Sequence, residues 1–131
     1  MTRGLPLLAL VVAVQAGAAA AVGLGPLRHE GVTASERKGF YLTLSNPYPD
    51  AQRFRLAAIG WDDEIAQSRV LLPVATPRLG GGSQRRLLVV ATGLKPGETM
   101  SFRVCAERDD PQAKELIHAR VCAKLVARRL A

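Results

Sequence analysis

Aromatic residues are scarce in this 131-residue chain: three Phe, two Tyr and one Trp, 5% of the total. That is too few for the stacked aromatic platforms on which single-stranded nucleic acid is held, so the net charge of +7 does not point to a nucleic-acid partner. Histidine is scarcer still. His29 and His118 are the only two, and with two cysteines and scattered acids they form no metal-ligand spacing. No metal or other cofactor is therefore expected. The cysteines, Cys105 and Cys122, stand 17 positions apart, which excludes the closely spaced Cys-x-x-Cys pair of a redox centre. No serine sits in a nucleophile motif. The segment Gly80-Gly81-Gly82-Ser83-Gln84-Arg85-Arg86 lacks the Gly-Lys-Ser/Thr ending of a phosphate loop and reads as a hairpin turn. With His29-Glu30 reading as an exposed strand pair and Asp62-Asp63-Glu64 as a solvated acidic turn, nothing assembles a catalytic group, and no enzyme is expected.

Long apolar runs are also missing, with one short exception at the start. Arg3 supplies a positive charge, Leu5 to Val14 is apolar apart from Pro6, and Ala16 to Ala21 are small. This is the layout of a secretory signal peptide cleaved between Ala18 and Ala21. The apolar run is about half of the roughly 20 residues a membrane span requires, so no stable span is expected after cleavage. The domain boundaries are then a signal peptide over 1–21 and one domain over 22–131, carrying 17 basic against 11 acidic residues. Export delivers Cys105 and Cys122 to an oxidising compartment, where an even pair forms one structural disulfide.

What the mature segment does have is short alternating runs punctuated by Pro and Gly. Phe40 to Leu44, Arg53 to Ile59, Val70 to Leu72, Arg86 to Ala91, Thr99 to Ala106 and Leu116 to Val126 read as strands. Turn clusters lie at Ser45 to Asp50, Gly80 to Ser83 and Leu94 to Glu98. No sustained 3.6-residue period occurs outside the leader, although Gln112 to His118 has the composition of a short helical turn. Short strands at roughly ten-residue spacing predict an all-β fold, a single antiparallel sandwich of about seven strands. Parity places Cys105 on the polar side of its strand with Ser101 and Arg103, and Cys122 with Arg120 and Lys124. Two neighbouring antiparallel strands joined near Asp109-Asp110-Pro111 bring them face to face. The expected disulfide is a cross-strand clip, not the inter-sheet bridge packed on a tryptophan of antibody domains.

Several stretches, in order, resemble the N-terminal immunoglobulin-like domain of the PapD-like periplasmic pilus chaperones. They are Leu24-Gly25-Pro26-Leu27-Arg28, Phe40 to Pro47, Pro73 to Gly82, Leu87 to Val90, Leu94 to Glu98, Phe102-Arg103-Val104 and Ala119 to Arg128. The resemblance spans about residues 22–130, the extent of one such domain; the family's chaperones carry two. It implies a periplasmic chaperone-like protein that binds pilin-like subunits by adding its last strand to them, with an outer-membrane usher as a further partner. The implied client-carboxylate pair is Arg28 and Lys124. The implied donor positions are Ile117, Ala119 and Val121, preceded by Glu115, which gives small knobs and one charge. The alternative is a stand-alone structural or interaction module of the cell envelope that keeps the fold without chaperone activity.

Overall fold

In a computed structural model that describes residues 22–109 and 119–131, period-2 alternation sets which side of each strand is buried. Nine strands follow in chain order: β1 (Gly23–Gly25), β2 (Arg28–Thr33), β3 (Lys38–Ser45), β4 (Gln52–Gly60), β5 (Val70–Leu71), β6 (Arg78–Leu79), β7 (Gln84–Ala91), β8 (Thr99–Arg108) and β9 (Arg120–Arg129). Phe40, Leu42 and Leu44 of β3 and Leu87, Val89 and Ala91 of β7 point into the core from one sheet. Phe54 and Leu56 of β4, Phe102, Val104 and Ala106 of β8, and Ala123, Leu125 and Ala127 of β9 meet them from the other. Phe40 and Phe102 meet edge to face across the gap, their centroids 6.3 Å apart. Burying a side chain of this size contributes about 1.5–3 kcal/mol, so the few phenylalanines of this chain sit where they stabilise most. β9 contributes the small side chains of Ala123 and Ala127 on either side of Leu125, the register partner of Phe102.

The sheets have orders β1-β3-β7-β5 and β2-β9-β8-β4-β6, a two-layer β-sandwich with no helix among the described residues. The fold class is as the sequence implies, with one correction. The first strand divides between the layers: β1 pairs antiparallel with β3, and after Pro26 the chain crosses over so that β2 pairs parallel with β9. An all-antiparallel reading therefore fails at this one edge. Local alternation reports which face is buried but not the direction of a neighbour 96 residues away. The last strand also begins later and ends later than the Leu116–Val126 run, at Arg120 and Arg129. The leader over 1–21, and Gln112 to His118 with its helical composition, lie outside the described residues.

Two joints hold the ends of the layers in place. Asn46 is buried, 1% exposed, and its Nδ2 donates to the carbonyls of Asp50, Leu79 and Gly80 while its Oδ1 accepts from the Tyr48 amide. This ties the β3–β4 turn to β6. In the turn between β7 and β8, Pro96 precedes Gly97 at φ +76°, and the Glu98 amide donates to the Lys95 carbonyl at 2.9 Å. That is the geometry of a type II turn, whose third position favours glycine.

Candidate functional site

The site lies where β2 joins β9. β9 is paired with β8 along its whole length, from Arg120 opposite Glu107 to Arg128 opposite Thr99. On its other edge β2 begins only at Arg28, opposite Lys124, and continues to Thr33 opposite Arg129. Among the described residues no strand pairs with that other edge from Arg120 to Ala123, so the first four residues of β9 have an unpaired backbone edge there. The parallel ladder starts with the Lys124 amide donating to the Leu27 carbonyl at 2.8 Å. A small cavity of about 40 Å³ lies beside the open stretch, lined by Val22, Ala119, Arg120 and Val121.

The outward row at that junction is cationic. Arg28, Lys124 and Arg103 are successive register partners on β2, β9 and β8. Arg28 and Lys124 are thus brought together from positions 96 residues apart in the chain. Both converge on one ring: Lys124 Nζ lies 4.6 Å and Arg28 Cζ 5.8 Å from the Trp61 centroid. Arg28 is also within 3.6 Å of Glu30 on its own strand, and both side chains are largely exposed. Lys124 makes no ion pair among the described residues. Arg103 is spent differently. It donates to the carbonyls of Gly60 at 2.9 Å and Asp63 at 2.8 Å and lies 3.5 Å from Glu64, which anchors the loop that carries Trp61.

Asp62, Asp63 and Glu64 are all exposed, as a solvated turn requires, and two of these acids are also held in place. Glu64 accepts from both terminal nitrogens of Arg120, at 2.8 and 2.9 Å, and this hydrogen bonding holds its carboxyl below the usual carboxylate range against the opposing effect of burial. Asp63 Oδ1 accepts from the Ile65 amide at 2.9 Å. His29 and Glu30 do not act on each other: His29 packs edge-on against Phe40, 5.3 Å between centroids, while Glu30 faces Arg28.

Of the donor positions, Val121 is half-buried against the core, Ala119 is exposed, and Ile117 lies outside the described residues along with Glu115. Cys105 and Cys122 are register partners and form a disulfide with Cα atoms 4.0 Å apart. Parity places both on the outer side, but Cys105 is buried, 4% exposed, so the polar side is not a wet one at that point. The bridge clips the Arg120–Ala123 stretch of β9 to β8. Sequence reasoning missed Trp61, Glu30 and Arg103 as parts of this site. Only the acidic turn Asp62-Asp63-Glu64 hinted at a loop beside Trp61, and nothing in its spacing said which side chains the ring meets.

No protein-family model and no curated protein sequence matches the chain. Solved structures do match, and they agree on the architecture. The E. coli chaperone DraB superposes with a TM-score of 0.67 at 23% identity, covering 84% of this chain and 55% of its own. The fold is that of the PapD-like chaperones. The Salmonella enterica SafB chaperone, solved with the SafA pilin, gives 0.68 at 21% identity, with coverage of 84% and 55%. The PapD-like domain 7 of human CEP192 gives 0.63 at 10% identity and covers 85% of this chain and 86% of that domain. The chain thus spans little more than half the length of the bacterial chaperones it matches. Its relation to the PapD-like human domain shows that the fold by itself does not specify a chaperone. Among the described residues no cluster of His, Cys, Asp or Glu could hold a metal ion, and no helix is long and apolar enough to cross a membrane.

Proposed function

We propose that this PapD-like chain is a periplasmic chaperone-like protein that binds pilin-like subunits by β-strand addition along the open edge of β9. Arg28 and Lys124 would hold the subunit's C-terminal carboxylate. One observation carries the reading: among the described residues the unpaired edge of β9 ends at the position where these two cations are register neighbours. An extended peptide that pairs with Arg120 to Ala123 gains main-chain hydrogen bonds whatever its sequence, while its alternate side chains lie beside Ala119 and Val121. When its last residue reaches the junction, β2 blocks further pairing and a free carboxylate meets an arginine fork and a lysine point charge. An N-terminal ammonium in that place would be repelled. Glu30 competes for Arg28, so the carboxylate gains most from Lys124, which makes no ion pair among the described residues. Residues 1–21 act as the export signal in this reading, and an outer-membrane usher receives the loaded protein.

The test uses a synthetic strand of about eight alternating apolar residues, once with a free C-terminal carboxylate and once as the amide. Lys124→Ala is expected to weaken the acid by about 2 kcal/mol, the low end for a contact desolvated by its ligand, since Arg28 remains. Lys95→Ala, which removes the same charge from the β7–β8 turn, is expected to change little. Equal losses for both variants, or an amide that binds as well as the acid, would leave general electrostatic attraction and favour the envelope-module alternative.

A further inference from the structure

The chain's single tryptophan has a position that its own loop does not explain. Trp61 follows β4 directly, and the segment behind it is tied down at several points. The Gly60 amide donates to the Ile65 carbonyl at 3.0 Å, and Arg103 holds the Gly60 and Asp63 carbonyls. The fit is close enough that a Cβ on Gly60 would lie 2.0 Å from Asp63 Oδ1. Arg120 grips Glu64 from β9. The anchoring residues Arg103 and Arg120 belong to the strands that carry or flank Lys124, so the ring's place is fixed by the same sheet that presents the basic pair.

Without the ring, the pair has a problem. Like charges facing each other on neighbouring strands repel, and lysine has four rotatable bonds with which to swing away. The electron-rich face of an indole attracts both cations and is the strongest such face among the aromatic side chains. We infer that Trp61 is a positioning residue: it draws Arg28 and Lys124 onto one ring and so preforms the acceptor for the client's terminal carboxylate. This rests on the reading of the pair given above. The ring limits the lysine's freedom before the client arrives, so less of it is lost on binding. A carboxylate is thereby distinguished from an uncharged end more sharply than by two independent surface cations.

The first experiment needs no client. Trp61 is the only indole, so its emission reports directly on the charges against it. Lys124→Met and Arg28→Met are expected to shift its emission maximum, and Lys95→Met to leave it unchanged. Emission identical to wild type in the first two variants would overturn the inference, whatever the fate of the chaperone reading. The second experiment uses the acid and amide peptides. Trp61→Leu is expected to weaken the acid about fivefold and leave the amide unchanged. Trp61→Phe, which keeps a weaker ring face, is expected to recover part of the loss. Urea midpoints of both variants check that the fold is retained. Equal losses for acid and amide, or Trp61→Phe binding no better than Trp61→Leu, would reduce Trp61 to a structural cover. If wild-type protein itself failed to distinguish acid from amide, the proposed function would fall, while the emission result would still decide whether Trp61 holds the pair.

Discussion

Replacing Asn46 with alanine is expected to destabilise the domain by about 2–6 kcal/mol, a figure that follows from counting its partners. Asn46 is the one fully buried polar side chain among the described residues, at 1% exposure. Its amide donates to three carbonyls, those of Asp50 at 3.0 Å, Leu79 at 3.1 Å and Gly80 at 3.1 Å, and its Oδ1 accepts from Tyr48 at 2.9 Å. These losses are unequal. The Gly80 carbonyl keeps the Ser83 amide and hydroxyl as donors, so it loses little. The contact with the Leu79 carbonyl is the buried one, and leaving it unmade costs about 1–3 kcal/mol. The Asp50 and Tyr48 contacts are partly wet and cost roughly 0.5–1.5 kcal/mol each, because water replaces the lost partner in part. Relaxation of the turn is restricted by the approach of Gly81, where a Cβ would lie 1.9 Å from the Pro49 carbonyl oxygen. Equilibrium unfolding in urea measures the loss against a total stability of about 5–15 kcal/mol for a domain of this kind. Asn46→Asp keeps the acceptor but turns a carboxylate toward three carbonyls, and is expected to be at least as damaging as alanine. A loss below about 1 kcal/mol for Asn46→Ala, or wild-type stability for Asn46→Asp, would refute the assignment of Asn46 as the anchor of this joint.

Two further expectations concern stability. The disulfide closes a loop with a sequence separation of 17, so Cys105→Ala/Cys122→Ala is expected to lower stability by about 3 kcal/mol. A urea midpoint within error of wild type, or two titratable thiols in the denatured wild-type protein, would contradict this. Glu98 accepts from both terminal nitrogens of Arg69, at 3.0 and 2.8 Å, and from the Lys95 amide at 2.9 Å; these contacts, the arginine first, pull its carboxyl from 4.5 to about 2. A carboxyl depressed in the folded state contributes stability that is fully present above about pH 4.5 and is lost as pH falls toward about 2. Thermal melts of wild type and Glu98→Gln across that window are expected to converge on acidification, and a constant difference between them would count against the ion pair.

Much of the sandwich was legible in the sequence because alternation is a local property. The runs at Phe40 to Leu44, Arg86 to Ala91 and Thr99 to Ala106 each carry their own buried face, and the proline–glycine joints mark where they stop. Cysteine parity sufficed to predict a cross-strand clip, since two adjacent strands joined by one connection leave few registers open. The resemblance to PapD-like chaperones named Arg28 and Lys124, and these prove to be register neighbours.

The fold class, the strand faces and the pairing of the cysteines could therefore be read from the sequence. So could a basic residue near either end of residues 22–131, Arg28 and Lys124. It took the tertiary structure to show that the first strand divides between two sheets, that β2 lies parallel to β9, and that no described strand pairs with the outer edge of β9 before Lys124. It alone placed Trp61 under the two cations and Asn46 among three carbonyls. The reason is physical. A side chain's face follows from its immediate neighbours in the chain, but which strand lies beside it depends on how both layers bury their apolar faces at once. That choice is made by the whole core and leaves no mark in the spacing of any single run.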